Sequence, residues 1–180
     1  VSDNMLRELR ATGAEAVHVF DDAVTGLQAI LAVHSTALGP AFGGCRFRAY
    51  PDEQTALDDV LRLARGMSYK NALAGIPFGG GKAVILAPDG GDRRALFARF
   101  GERLAGLGGT YVTAMDAGTT TADMDAIAGP TRYVSGASGR EGDPSPHTAL
   151  GLALCINHLA ARAGLPVRGL RVAVQGVGHV

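Results

Sequence analysis

Lys70 and Lys82 are the only lysines in a chain of 180 residues whose other Lys+Arg cations are all arginine. Both fall in the stretch MSYKNALAGIPFGGGKAVIL, Met67 to Leu86, and the second follows three consecutive glycines. Lysine can do something arginine cannot. Burial or a neighbouring cation lowers its pKa until it exchanges protons, whereas a guanidinium stays charged. Lys82, at the mouth of the apolar run AVIL, is therefore a candidate acid–base group. Lys70, at the end of the preceding helical segment, is the sequence's candidate for the second cation, or for a group that holds a carboxylate. Each lysine also has an ordinary reading. Lys70 would complement a helix C-terminus, and Lys82 would be a chance loop residue. Asp116, in TAMDAGTT, is the third candidate. It stands where a strand gives way to a loop, a place from which carboxylates reach into the sites of α/β folds, and its ordinary reading is a turn or capping aspartate. A phosphate-binding loop is excluded. Ile76 occupies the position of its first glycine, Ala83 follows the lysine where Ser or Thr is needed, and the order around the loop is helix then strand.

The elements that must position these groups alternate along the chain. EAVHVF (15–20) and LQAILAV (27–33) read as a hairpin across the turn DDAVTG. The segment STALGPAFGGCRF reads as a loop. An amphipathic helix follows over 52–69, with Leu57, Val60, Leu61 and Ala64 on one face and acidic residues at its start. KAVILA reads as a buried strand, DRRALFARFGERLAGL as a helix, and TYVTAM as a strand. TTADMDAIA reads as a short helix capped by Thr120 or Thr121, and TRYVSG as a strand. PSPHTALGLALCINHLAARAG reads as a long helix with Pro146 in its first turn. SGASGREGDPSP is a candidate hinge before it. RVAVQGVGHV is an apolar strand running into Gly176-Val177-Gly178. That order opens the dinucleotide fingerprint, whose third glycine would be residue 181. An ordinary glycine-rich turn would look the same over this length.

The composition is that of a protein with a real core, 47% hydrophobic, with 17 basic and 17 acidic residues. That balance argues against nucleic acid as the main partner, since phosphate binding needs a basic face. No apolar run approaches the ~18 residues of a membrane span, and the N-terminal residues lack a signal-peptide layout. A cytoplasmic location is expected. Cys45 and Cys155 show no metal-ligand spacing, so no metal is expected.

Taken in order, GPAFGGCRF, LRLARGMSYKNALAGIPFGGGKAVI, YVTAMDAGTT, PSPHTALG and VAVQGVG resemble the amino acid dehydrogenases that act on glutamate, leucine, phenylalanine and valine. The leucine/phenylalanine branch is the nearest in pattern. The resemblance implies an α/β fold. Residues 1–145 would be a mixed-sheet substrate-binding and catalytic domain. Residues 146–180 would be a linker helix and the incomplete start of a Rossmann dinucleotide-binding domain. It implies reversible oxidative deamination with NAD, NADP being left open because the discriminating residues fall later in such enzymes. It implies a homo-oligomer, and inactivity for these residues on their own. By position, Lys70 would bind the substrate carboxylate, Lys82 would activate water and Asp116 would shuttle amine protons. Gly43, Gly44 and Met67 would line the substrate site, and Thr148 would lie near the nicotinamide, with Gly176, Val177 and Gly178 at the dinucleotide. His147 departs from the small or apolar residue usual there.

Phe42 stands where the glutamate enzymes carry a lysine for the side-chain carboxylate. An aromatic ring would leave that carboxylate unpaired, at a cost of several kcal/mol. An apolar substrate is expected, and Ala114 resembles the leucine enzymes more than the phenylalanine ones. The competing functions are a glutamate-type enzyme and a non-catalytic amino-acid-binding or assembly module of the same fold.

Overall fold

The hydrophobic alternation of the strands sorts the protein into layers. In the computed structural model, residues 3–139 and 142–178 are described. They divide into two compact units, Val1–Gly142 and Asp143–Val180. The first unit contains α1 (Asp3–Thr12), β1 (Ala16–Asp22), β2 (Leu27–Ser35), β3 (Ala41–Arg48), α2 (Glu53–Ala74), β4 (Gly79–Leu86), α3 (Arg93–Ala105), β5 (Tyr111–Met115) and α4 (Thr121–Ala128). Its sheet runs β1-β2-β4-β3-β5. The β1–β2 and β2–β4 pairings are antiparallel, and β4–β3 and β3–β5 are parallel. The sheet is therefore mixed and carries the expected hairpin at one edge.

On one face, Leu27, Ala29, Leu31, Ala83, Ile85 and Tyr111 pack with Phe97 and Phe100 of α3 and Met124 and Ile127 of α4. On the other, Ile30, Ala32 and Val84 pack against Leu57, Val60, Leu61 and Ala64 of α2. The i, i+3, i+4, i+7 stripe read from the sequence is thus the buried stripe of α2. The Asp52 side chain caps this helix by accepting from Thr55 N at 2.7 Å. Thr120 and Asp123 form a reciprocal capping box on α4, which satisfies two otherwise unpaired N–H groups.

Three expectations are corrected in this unit. Residues 41–48 form the strand β3 rather than a loop. Glycine suggested the loop, but a strand buried between two parallel neighbours draws its stability from the ladder on both sides. The glycines before Lys82 are likewise not a loop. Gly79, Gly80 and Gly81 are the first half of β4, the fully buried central strand. Residues 131–136 make only an isolated bridge, Thr113 to Val134, instead of a strand. α1 was not foreseen.

In the second unit, α5 (Ser145–Arg162) begins with Pro146 in its first turn. Leu150, Leu152, Leu154 and Leu159 are all more than half exposed on it. Residues 171–177, expected as the first strand of a dinucleotide-binding domain, take no strand conformation. A parallel strand is stable only against a neighbour, and none of the described residues pairs with this segment.

Candidate active site

Side chains alternate across a strand, so Phe42, Gly44 and Arg46 of β3 share the α2 face with Lys82 of β4 and Ala114 of β5. The register sets Cys45 opposite Ala83 on one side and opposite Met115 on the other. Gly44 therefore stands between Lys82 and the strand that leads into Asp116. Lys82 and Asp116 are separated by two strand spacings, ~10 Å, and the lysine must cross β3 to meet the carboxylate. It does so: Lys82 Nζ lies 3.1 Å from Asp116 Oδ1. A Cβ at Gly44 would meet Asp116 Cβ at 2.8 Å and Met115 O at 2.6 Å, so only glycine leaves this crossing open. Gly80 has a different task. A Cβ there would collide with the backbone and hydroxyl of Ser68, so glycine lets α2 lie directly on β4.

Lys82 is 5% exposed. Burial pulls its pKa down, the charge and hydrogen bond of Asp116 oppose that, and the Arg46 charge lowers it again, leaving it below the ordinary 10.5. The sequence reading gave the part of second cation to Lys70. The geometry gives it to Arg46. Arg46 Nε donates to Asp116 Oδ2 at 2.8 Å, and Arg46 Nη1 donates to Asp59 Oδ2 on α2 at 2.9 Å. Tyr50 and Arg62 also donate to Asp59, at 2.8 and 2.6 Å. Asp116 is consequently held by two cations, one on each oxygen.

The loop after β5 is clamped. Thr119 Oγ1 accepts from Asp116 N at 2.8 Å and lies 2.8 Å from Asp116 O. Arg93 binds Asp123 and Gly118 O from α3. Below the glycine pair, the buried Tyr111 hydroxyl donates to Gly43 O at 2.6 Å. At the other end, buried Asn71 donates to Gly79 O at 2.6 Å and to Phe42 O at 3.2 Å, tying the last turns of α2 to β4 and β3. The Phe42 ring packs on Phe78, with centroids 5.2 Å apart.

Of the residues singled out in the sequence, Lys82, Asp116, Gly43, Gly44, Phe42 and Ala114 are brought together on adjacent strands. Met67 joins them from α2, where a Cβ at Gly43 would come within 3.1 Å of its Cγ. Lys70 lies one turn further along α2, exposed, and takes part in no ion pair among the described residues. Arg46, Asp59, Tyr50, Asn71 and Phe78 were missed. Arg46 had no local signal, because the segment that holds it read as a loop and side chains alternate only along a strand. Asp59 had none either, because it lies off the apolar stripe of the helix.

A family model described as the Glu/Leu/Phe/Val dehydrogenase dimerisation domain matches residues 14–133. The chain belongs to this family. It is 49% identical over 172 residues to the leucine dehydrogenase of Geobacillus stearothermophilus, covering 92% of this chain and 47% of that protein. It is 48% identical over 176 residues to the valine dehydrogenase of Streptomyces virginiae, covering 93% and 49%. Among solved structures it is similar to L-tryptophan dehydrogenase from Nostoc punctiforme, with a TM-score of 0.76 at 38% identity over 97% of this chain and 50% of that one. It is also similar to the Leu-bound, hetero-hexameric glutamate dehydrogenase of Thermus thermophilus, with a TM-score of 0.78 at 29% identity over 99% and 48%. The chain spans about half the length of the curated relatives it matches. No helix among the described residues is long and apolar enough to cross a membrane.

Dehydrogenases of this family imply a nicotinamide cofactor. In the second unit, Gly176 takes φ 87°, the tight-turn conformation that the first fingerprint glycine supplies. A Cβ at Gly178 would meet nothing within 4 Å, so the backbone there is open to approach. Thr148 is exposed in the first turn of α5, its hydroxyl donating to Pro144 O at 3.1 Å. The helix N-terminus that receives a pyrophosphate is not among the described residues. Gly176 and Gly178 have the glycine spacing of a dinucleotide turn, without the strand that precedes it in that fold.

Proposed function

We propose that this chain is the substrate-binding part of an NAD-dependent dehydrogenase that reversibly deaminates an apolar, branched aliphatic L-amino acid to its 2-oxo acid and ammonia. The observation that carries this reading is the buried Lys82–Asp116 pair, reached across a glycine in a family of amino acid dehydrogenases. NAD would supply the acceptor for the hydride that leaves the substrate Cα. This chain's residues would do the rest. Lys82, with its pKa lowered, is neutral more readily than a surface lysine, so it does not repel the iminium left behind and can take a proton from the attacking water. Asp116 accepts the proton shed by the amine and stabilises the iminium charge. Lys70, exposed one turn after Met67, holds the α-carboxylate and fixes the reacting carbon. Gly43, Gly44 and Met67 line the floor. Phe42 on Phe78 and, beyond them, Ala114 form an apolar wall that would leave a side-chain carboxylate unpaired. The leucine and valine enzymes among the relatives support the same substrate class.

Residues 1–145 serve as the substrate domain, and 146–180 carry the linker helix and the first part of the cofactor domain, with Thr148 near the nicotinamide and Gly176–Gly178 at the dinucleotide. The exposed leucines of α5 support this, since an apolar helix needs a cover. The protein is a homo-oligomer, as the dimerisation-domain match supports.

The test is NADH formation by the full-length protein with leucine, valine, isoleucine, phenylalanine, tryptophan and glutamate. Branched aliphatic substrates are expected to lead, and Lys82→Ala to remove turnover. Activity on glutamate alone would refute the substrate assignment. Full turnover by Lys82→Ala would refute the role of the lysine.

A further inference from the structure

Asp116 can receive the proton shed by the amine only if its carboxylate is held in a fixed orientation toward the reacting atoms. Its Oδ1 is shared with Lys82 and its Oδ2 with Arg46. A carboxylate on a free torsion would offer either oxygen to the lysine. Arg46 removes that freedom, and Arg46 is in turn fixed from its other side by Asp59. We propose that Arg46 and Asp59 are positioning residues for the reaction, a tie from α2 through β3 that holds the Asp116 carboxylate with Oδ1 turned to Lys82 throughout the proton cycle. This rests on the function proposed above.

Three features support it. The side chains of Arg46, Asp59 and Asp116 are 18, 14 and 22% exposed, so the tie is largely shielded from water and little screened. Each contact lies within 2.8–2.9 Å, the range of charge-assisted bonds. The partners also differ in kind. Lys82 changes charge when it takes a proton from water, whereas a guanidinium does not. With Lys82 as its only partner, Asp116 would lose its counter-charge whenever the lysine became neutral. Arg46 keeps it paired in both states. Asp59 performs the same service for Arg46, and it receives Tyr50 and Arg62 as well. It lies two turns before Met67 on α2, so the helix that presents Met67 and Lys70 is linked to the carboxylate that handles the amine.

The charged and titratable groups facing this pair are few. Lys82 faces Asp116, Arg46 and Cys45, whose thiol burial pushes up to about 12. Asp59 faces Arg46, Arg62 and Tyr50, whose phenol burial and the Asp59 bond push up to about 12. Neither thiol nor phenol is charged near neutrality. Removing the Arg46 charge leaves Lys82 easier to protonate. Removing the Asp59 charge leaves Arg46 less neutralised and makes Lys82 harder to protonate. The two substitutions therefore move the acid limb of the pH profile in opposite directions, which a purely structural contact would not do.

The experiment compares Arg46→Gln, Arg46→Lys and Asp59→Asn in the full-length protein, alongside Lys82→Ala, measuring kcat, KM and the pH profile of kcat/KM with the best amino acid. Arg46→Gln is expected to lower kcat ~100-fold, the scale of a misplaced catalytic group, with KM within ~3-fold and the acid limb at higher pH. Asp59→Asn is expected to lower kcat less and to move the acid limb to lower pH. Arg46→Lys should restore the limb but not the full kcat, because an ammonium cannot bridge two carboxylates as a guanidinium fork does. Limbs that move together, or do not move, overturn the proposal. If Arg46→Gln does not fold, the direction of the Asp59→Asn limb decides. A protein that needs Lys82 for turnover but ignores both Arg46 and Asp59 overturns this inference alone. Absence of amino-acid-dependent NADH formation by the unaltered protein overturns the function and the inference with it.

Discussion

Replacing Lys82 with methionine separates the chemistry of the site from its stability. Methionine keeps the length and apolar stem of the lysine and removes only the ammonium. The usual consequence of breaking a buried ion pair is a loss of ~3–5 kcal/mol, because the remaining charge is left unpaired. Here that does not follow. Asp116 keeps Arg46 at 2.8 Å on its second oxygen. The ammonium, 5% exposed, costs more to bury than Asp116 returns, as its lowered pKa indicates. Between the folded pKa and the ordinary 10.5 the unfolded chain binds more protons than the folded one, so the wild-type protein gains stability as pH rises through that window. Below it, the full burial cost applies. Lys82→Met is therefore expected to unfold no lower than wild type at pH ~7, and up to about 1 kcal/mol or ~2–4 °C higher. The gap should close as pH rises toward that of a free lysine. Turnover should fall ~10²–10⁴-fold, the usual contribution of a general base. Calorimetry at neutral and alkaline pH, with NADH formation on the same samples, measures both. A drop of several degrees at neutral pH would show that the ion pair stabilises the fold and would refute the reasoning.

Phe42→Lys should reduce kcat/KM for leucine at least ~100-fold, because an apolar side chain would then desolvate a charge; unchanged leucine kinetics would place the side-chain pocket elsewhere. Gly80→Ala should lower thermal stability by the ~1–3 kcal/mol typical of overpacking, as α2 is pushed off β4 at Ser68, and a wild-type melting curve would contradict that close approach. Asn71→Leu should cost ~1–3 kcal/mol by leaving Gly79 O without its buried donor, read by denaturant unfolding.

The α/β class, the hairpin and the helix α2 were legible in the sequence, while the strand β3 was not. Lys82 and Asp116 stood out as candidates because a lysine at the mouth of an apolar run and a carboxylate where a strand gives way to a loop sit where site groups of α/β folds are found. β3 was not legible. Its Gly43–Gly44 pair reads as a turn locally, and only pairing to β4 on one side and β5 on the other makes it a strand. The same misreading turned Gly79–Gly81 into a loop. The helix α2 was plain from its apolar stripe and the acidic residues at its start. Arg46 and Asp59 were hidden for another reason. Their ion pair joins a strand to a helix, and Arg46 then reaches a carboxylate 70 positions away in sequence. No local spacing encodes such a bond. Residues 171–177 show the converse: apolar alternation marks a capacity for pairing, and the conformation waits on a neighbour.

The contacts around Gly44 and Gly80 also set limits on how this part of the sheet can be altered. Gly44 and Gly80 have no room for a side chain, because backbone, helix or carboxylate already fills the space where a Cβ would go. Variation has to enter from the walls, at Phe42, Met67, Phe78 and Ala114, where half-buried side chains have room to change size. This part of the sheet is thus adjustable at its margin and closed at its centre.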